Sequence, residues 1–165
     1  MTTCWKQFCL LGGVIYLYHL CWTIFGVDAY ADYTRFNPCG GIATAGLSDM
    51  EAKEKYSGVF DVALAMSSIF HMIEWLRWTA FLTTALVNAN LMPLYYGLSI
   101  NIPFGIIACI VAIITRYGTE GDDCSGAGKQ EARSFYLGMQ VVCLVVYIPT
   151  CFAHVIYLKI RGVEW

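Results

Sequence analysis

Charged residues are scarce in this sequence. Asp, Glu, Lys and Arg together make up 13% of its 165 residues, whereas hydrophobic residues make up 58%. A typical soluble domain carries about 25% charged residues, because charge is needed to cover its surface. The composition therefore excludes a disordered chain, a coiled coil and an ordinary soluble domain. It predicts an integral membrane protein.

Motifs that would indicate chemistry are also missing. The eight cysteines form no C-x-x-C, and the chain contains no G-x-S-x-G, no H-E-x-x-H and no phosphate-binding glycine loop. The net charge of −2 offers no basic surface for nucleic acid. The sequence therefore predicts no enzyme, no cofactor, no nucleic-acid partner and no small-molecule substrate.

Four apolar segments account for most of the chain. They cover residues 8–27, about 59–88, 94–115 and 134–158, separated by polar loops at 28–58 and 116–133. About 20 helical residues at 1.5 Å each cross a hydrocarbon core of about 30 Å. The apolar run of the first segment is longer than the 7–15 residues usual in a signal peptide, so we interpret it as a spanning helix. The prediction is one all-α membrane domain over residues 1–165, an up-down bundle of four transmembrane helices.

The second segment is too long for one level crossing. Ser48 and Glu51 form a capping-box pattern, which predicts that its helix begins near Asp49, within the polar loop. Asp61 is also better placed in water than in hydrocarbon. We therefore expect this helix to extend into the aqueous phase, with its spanning part at about residues 69–87.

The predicted order of loops resembles that of claudin-like and MARVEL-type tetraspan proteins: a long first loop, a short middle turn and a second long loop. The resemblance concerns architecture alone. Claudins carry a pair of cysteines in the first loop, whereas the first loop here contains only Cys39.

His71, Glu74 and Arg77 are spaced three residues apart within the second segment, so they lie close to one stripe of the helix. Charged residues inside a membrane are costly unless they are paired, and they often mark function. One interpretation is an ion pair near the membrane surface, beside Trp75 and Trp78, that anchors the helix or binds a neighbouring subunit. The other is a proton relay, although no other spanning segment contains a second acid.

Three histidines lie in three different segments, at His19, His71 and His154. Two facing histidines can bind a haem iron, and depth in the membrane allows only His19 and His71 to face each other. Single membrane histidines are usually hydrogen-bonded packing residues, so we predict no haem.

Small residues lie four apart on the third segment, Gly105 with Cys109 and Ala108 with Ala112. This spacing allows helices to approach closely. It predicts a packing face, either inside the bundle or against a partner.

Cys39 and Cys124 are the two cysteines in polar loops. We predict a disulfide between them, which would close a long loop and place both loops in an oxidising compartment. The basic residues of the same loops give a weak indication of the opposite orientation.

Small size and the absence of an assembled site favour a non-catalytic accessory subunit of a larger membrane complex, with other membrane subunits and lipids as partners. The favoured location is the mitochondrial inner membrane, in a respiratory-chain assembly for electron transport. The absence of any N-x-S/T sequence agrees with this, because it disfavours a glycosylated ectodomain. The alternative is a self-assembling tetraspan channel or adhesion protein of the plasma membrane.

Overall fold

The computed structural model describes residues 3–35, 49–87, 90–118 and 131–162. These residues are helical almost throughout, and no strand occurs among them. The helices are α1 (Thr3–Arg35), α2 (Asp49–Val87), α3 (Met92–Leu98), α4 (Asn101–Tyr117), α5 (Glu131–Val142) and α6 (Ile148–Ile160). A π-helical turn, Cys143–Tyr147, joins α5 to α6. The predicted disulfide partners Cys39 and Cys124 lie outside the described residues.

The helices form four legs that run alternately up and down. α1 and α2 are the first two legs, α3 with α4 is the third, and α5 with the π turn and α6 is the fourth. α1 and α2 are antiparallel, since Gly12 meets Phe81 at one end while Gly26 meets Ser68 towards the other. The third leg is likewise antiparallel to α2, and the fourth leg packs against α2 in the parallel direction.

Within the described ranges, three stretches are long and apolar enough to cross a membrane: Cys9–Tyr30, Met92–Tyr117 and Tyr136–Ile160. They lie in the first, third and fourth legs. The all-helical fold and these apolar stretches agree with the membrane protein that the composition predicts.

The third leg is broken at Ser99 and Ile100, where the sequence predicts one continuous helix. Pro103 explains the break, because it has no N–H to donate to the carbonyl of Ser99 and its ring crowds that carbonyl. The Ser99 carbonyl instead accepts the amide of Ile102, three residues on, at 3.1 Å. The break leaves Asn101 at the start of α4, where it is 3% exposed.

The π turn in the fourth leg has a related cause. Pro149 cannot donate to the carbonyl of Val145, so the α-helical pattern is interrupted at this point. The amide of Ile148 donates to the carbonyl of Cys143, five residues earlier, which is the π-helical bond. Through this wider turn Cys143 and Tyr147 both stay on the buried side of the leg.

The small residues of α4 form the packing face that their spacing predicts, and it lies inside the bundle. Ala108, Cys109 and Ala112 are fully buried. The backbone of Gly105 contacts the ring of Phe70 on α2 so closely that a Cβ atom would overlap the ring. The lack of a side chain at Gly105 therefore allows α4 to approach α2 closely.

We expect Gly105→Ala to destabilise the protein, because the added methyl group must displace the buried Phe70 ring. Overpacking of this kind costs about 1–3 kcal/mol. Gly97→Ala is the matched control, since a Cβ atom there meets nothing within 4 Å. Thermal unfolding in detergent measures the difference. Equal melting temperatures for the two variants would contradict the close approach of α2 and α4.

Candidate functional site

The centre of the bundle contains an ion pair between Glu74 and Arg77 on α2. Both side chains have a relative exposure of 0%. The Nη2 and Nε atoms of Arg77 donate to the same Oε2 atom of Glu74, at 2.6 and 2.9 Å. Two charged groups are thus buried one helical turn apart, and each needs further partners to offset its lost hydration.

Glu74 obtains its other hydrogen bonds from the third and fourth legs. The Nδ2 atom of Asn101 donates to Oε1 at 3.0 Å, and it also lies 3.1 Å from the carbonyl oxygen of Phe70. The hydroxyl of Tyr147 donates to Oε2. Both carboxylate oxygens therefore accept hydrogen bonds from outside α2.

Arg77 is surrounded by the same two legs. Its Nη2 atom lies 3.1 Å from the hydroxyl oxygen of Tyr147 and 3.0 Å from the sulfur of Cys151. Its Nη1 atom is 3.5 Å from Ser99 Oγ. The guanidinium carbon also lies 4.9 Å from the ring centroid of Tyr95, which is cation–π distance.

Tyr147 connects the ion pair to the aromatic part of the core. Its hydroxyl oxygen accepts the indole N–H of Trp78 at 2.7 Å while its proton goes to Glu74. Next to Trp78, the hydroxyl of Tyr95 is 2.6 Å from Nδ1 of His154. The hydrogen-bonded groups around the ion pair thus come from α2 and from the third and fourth legs.

A second polar group of residues lies one turn away, around His71. Its Nδ1 atom is 2.8 Å from Nδ1 of His19, and both rings have no exposed area. Its Nε2 atom is 3.2 Å from the amide nitrogen of Gln140, whose oxygen accepts the thiol of Cys109 at 3.6 Å. In this arrangement Gln140 donates to His71, which therefore carries its proton on Nδ1 and donates it to His19.

His19 and His71 do face each other, but not in a way that admits a haem iron between these nitrogens. Metal–imidazole bonds are about 2 Å long, so two ligating nitrogens lie about 4 Å apart across the metal. The separation here is 2.8 Å, which is a hydrogen bond. Among the residues described, no three His, Cys, Asp or Glu side chains are grouped to hold a metal ion.

The ion pair lies level with the middle of the apolar stretches. Tyr147 is near the centre of Tyr136–Ile160, and Asn101 is well inside Met92–Tyr117. Trp78, which the sequence suggests as a surface anchor, is 1% exposed and packs in the core. The sequence predicts either an ion pair near the membrane surface or a proton relay. The structure shows Glu74 and Arg77 paired inside the bundle, where the third and fourth legs supply further hydrogen bonds.

Sequence reasoning identified His71, Glu74 and Arg77 but none of the groups that bind the ion pair from other legs. Asn101 and Tyr147 were missed because each stands alone in an apolar run. A signal was nevertheless present in the fourth leg. Six residues of this leg, spaced three or four apart, are polar or carry a thiol, and all of them are buried: Tyr136, Gln140, Cys143, Tyr147, Cys151 and His154.

No family model matches the chain, and no curated protein and no solved structure shows detectable similarity to it.

Arg77→Leu should cost about 3–5 kcal/mol of stability, because it leaves the carboxylate of Glu74 buried without its counter-charge. The double variant Glu74→Leu with Arg77→Leu should recover part of this loss, because it removes the uncompensated charge, although Asn101 and Tyr147 each lose an acceptor. Unfolding of the full chain in detergent measures both. An Arg77→Leu variant as stable as the double variant would contradict an ion pair that is buried in solution.

Proposed function

We propose that all four legs span the bilayer, α2 included. An isolated charged residue such as Arg or Asp at the centre of a spanning helix costs about 2.5–3.5 kcal/mol on insertion scales. Because α2 contains Glu74 and Arg77, it is not apolar enough to cross a membrane by itself. The hydrogen bonds that Asn101 and Tyr147 make to Glu74 offset this cost once α2 lies among the other legs. The level of these contacts supports a spanning part of α2 whose middle is near residues 71–77, somewhat earlier than the span at about residues 69–87 that the sequence predicts.

This position also supports the extension of α2 into water. The helix begins at Asp49, where the capping pattern predicts its start. Asp49 then lies about 36 Å along the axis from the level of Ile73, at 1.5 Å per residue. Half of the hydrocarbon core is about 15 Å thick, so the first turns of α2 project beyond it on the side of the long loops.

Within this arrangement, we propose that the chain is a non-catalytic subunit of a larger membrane complex. The observation that carries the proposal is the closed polar core. Glu74 and Arg77 bind each other and their neighbours, and neither has any exposed area with which to meet a substrate. The outer surface is apolar on every leg, with exposed side chains such as Leu10, Leu86, Ile114 and Ile156. Such a surface suits lipids and the helices of other subunits.

The mitochondrial inner membrane, and a respiratory-chain assembly in it, is the location we propose. The support comes from the sequence: no N-x-S/T acceptor occurs, and Cys39 and Cys124 would suit the oxidising intermembrane space. A disulfide between them would tie the two long loops together on that side.

We expect the protein to migrate in blue-native electrophoresis of detergent-solubilised membranes as part of a complex much larger than a single chain. Partner subunits should be recovered in constant proportion to it. The variant Glu74→Leu with Arg77→Leu is a suitable control, because it alters the core and leaves the outer surface unchanged. Migration of the unaltered protein as a small free species would contradict the subunit proposal.

The channel alternative makes a different prediction. If the polar core is closed, the purified full chain in liposomes should carry no unitary currents, and Glu74→Gln should change nothing. Planar-bilayer recording measures this. Reproducible currents that Glu74→Gln alters would overturn the subunit proposal in favour of a self-assembling channel.

A further inference from the structure

α2 differs from the other legs in what keeps it in the bundle. The other three legs contain apolar stretches of spanning length, and α2 is not among them. Its inward side carries His71, Glu74 and Arg77, all with no exposed area. A helix of this composition gains less from hydrocarbon than the other three legs do.

The internal ion pair of α2 satisfies only part of its hydrogen-bonding capacity. A guanidinium has five N–H groups and a carboxylate has about four acceptor sites. Within α2, only the Nε and Nη2 atoms of Arg77 reach Glu74, and both bind the same oxygen. The other carboxylate oxygen accepts from Asn101, and the remaining contacts come from other legs as well.

These external partners lie later in the chain than α2. Asn101 is 27 residues beyond Glu74, and Tyr147 is 73 residues beyond it. His71 shows the same dependence, since Gln140 on the fourth leg binds its second ring nitrogen. During synthesis α2 therefore emerges before the groups that offset the cost of burying its charges.

We propose that α2 is a conditional span: Asn101 and Tyr147 hold it across the bilayer by binding Glu74, and without them it leaves the bilayer for the loop side. This inference rests on the proposed four-span arrangement and adds what maintains it. The short turn between α2 and α3 then lies on the opposite side of the membrane from Cys4, and the third and fourth legs, which keep their apolar stretches, cross the bilayer in the opposite direction. The side of the membrane on which residue 90 lies therefore reports whether α2 spans.

The test replaces the partners and leaves α2 unaltered. The full chain carries Asn90→Cys as the reporter, with and without the pair Asn101→Leu and Tyr147→Phe. Sealed vesicles are treated with a membrane-impermeant maleimide, and peptide mass spectrometry reads position 90 and Cys4 separately. When α2 spans, both positions react from the same side. In the variant that lacks the partners, the fraction of chains with position 90 on the opposite side from Cys4 should rise by about tenfold or more, because each lost hydrogen bond to a charged group corresponds to at least about a factor of ten.

A suppressor variant separates this effect from general misfolding. Adding Glu74→Leu and Arg77→Leu to the same chain makes α2 apolar, so position 90 should return to the side of Cys4. A control chain with Tyr30→Phe and Thr150→Val loses two hydroxyls that do not contact Glu74, and it should behave as the parent.

Two results overturn the inference: position 90 staying with Cys4 when Asn101 and Tyr147 are replaced, or the leucine substitutions failing to restore it. A different result concerns the arrangement itself. If position 90 and Cys4 react from opposite sides already in the parent chain, the four-span proposal fails, and the inference falls with it.

Discussion

The buried ion pair of Glu74 and Arg77 is the interaction on which the rest of the structure depends. Its two charges lie where the bundle excludes water, so each must be hydrogen-bonded by protein groups. The two residues cannot do this alone, and the third and fourth legs provide the remaining donors and acceptors through Asn101 and Tyr147. Three legs therefore meet around one pair of charges.

The interruptions of the third and fourth legs follow from two prolines close to this ion pair. Pro103 ends the regular hydrogen bonding at Ser99, which leaves Asn101 at the start of α4 and beside Glu74. Pro149 accompanies the π turn that contains Tyr147. Breaks of this kind are tolerated within a bundle when neighbouring groups satisfy the freed backbone. Here they occur where side chains must reach the charges on α2.

Several features could be predicted from the position of each residue along its own segment. The capping pattern of Ser48 and Glu51 predicts a helix from Asp49, and α2 begins there. The four-residue spacing of Ala108 and Ala112 predicts a packing face, and both residues are buried. Depth in the membrane allowed only His19 and His71 to face each other, and their rings are in direct contact. Each inference needed only helical periodicity and the position of a residue along its own segment.

The sequence by itself determined the helical class and the three apolar stretches, because composition and segment length are properties of the chain alone. It also determined that Glu74 and Arg77 are neighbours on one helical stripe. Only the tertiary structure decided whether their charges lie at a surface or in the core. That choice depends on whether Asn101 and Tyr147 reach the carboxylate of Glu74, and these groups, 27 and 73 residues away, come within hydrogen-bonding distance only when the legs pack together.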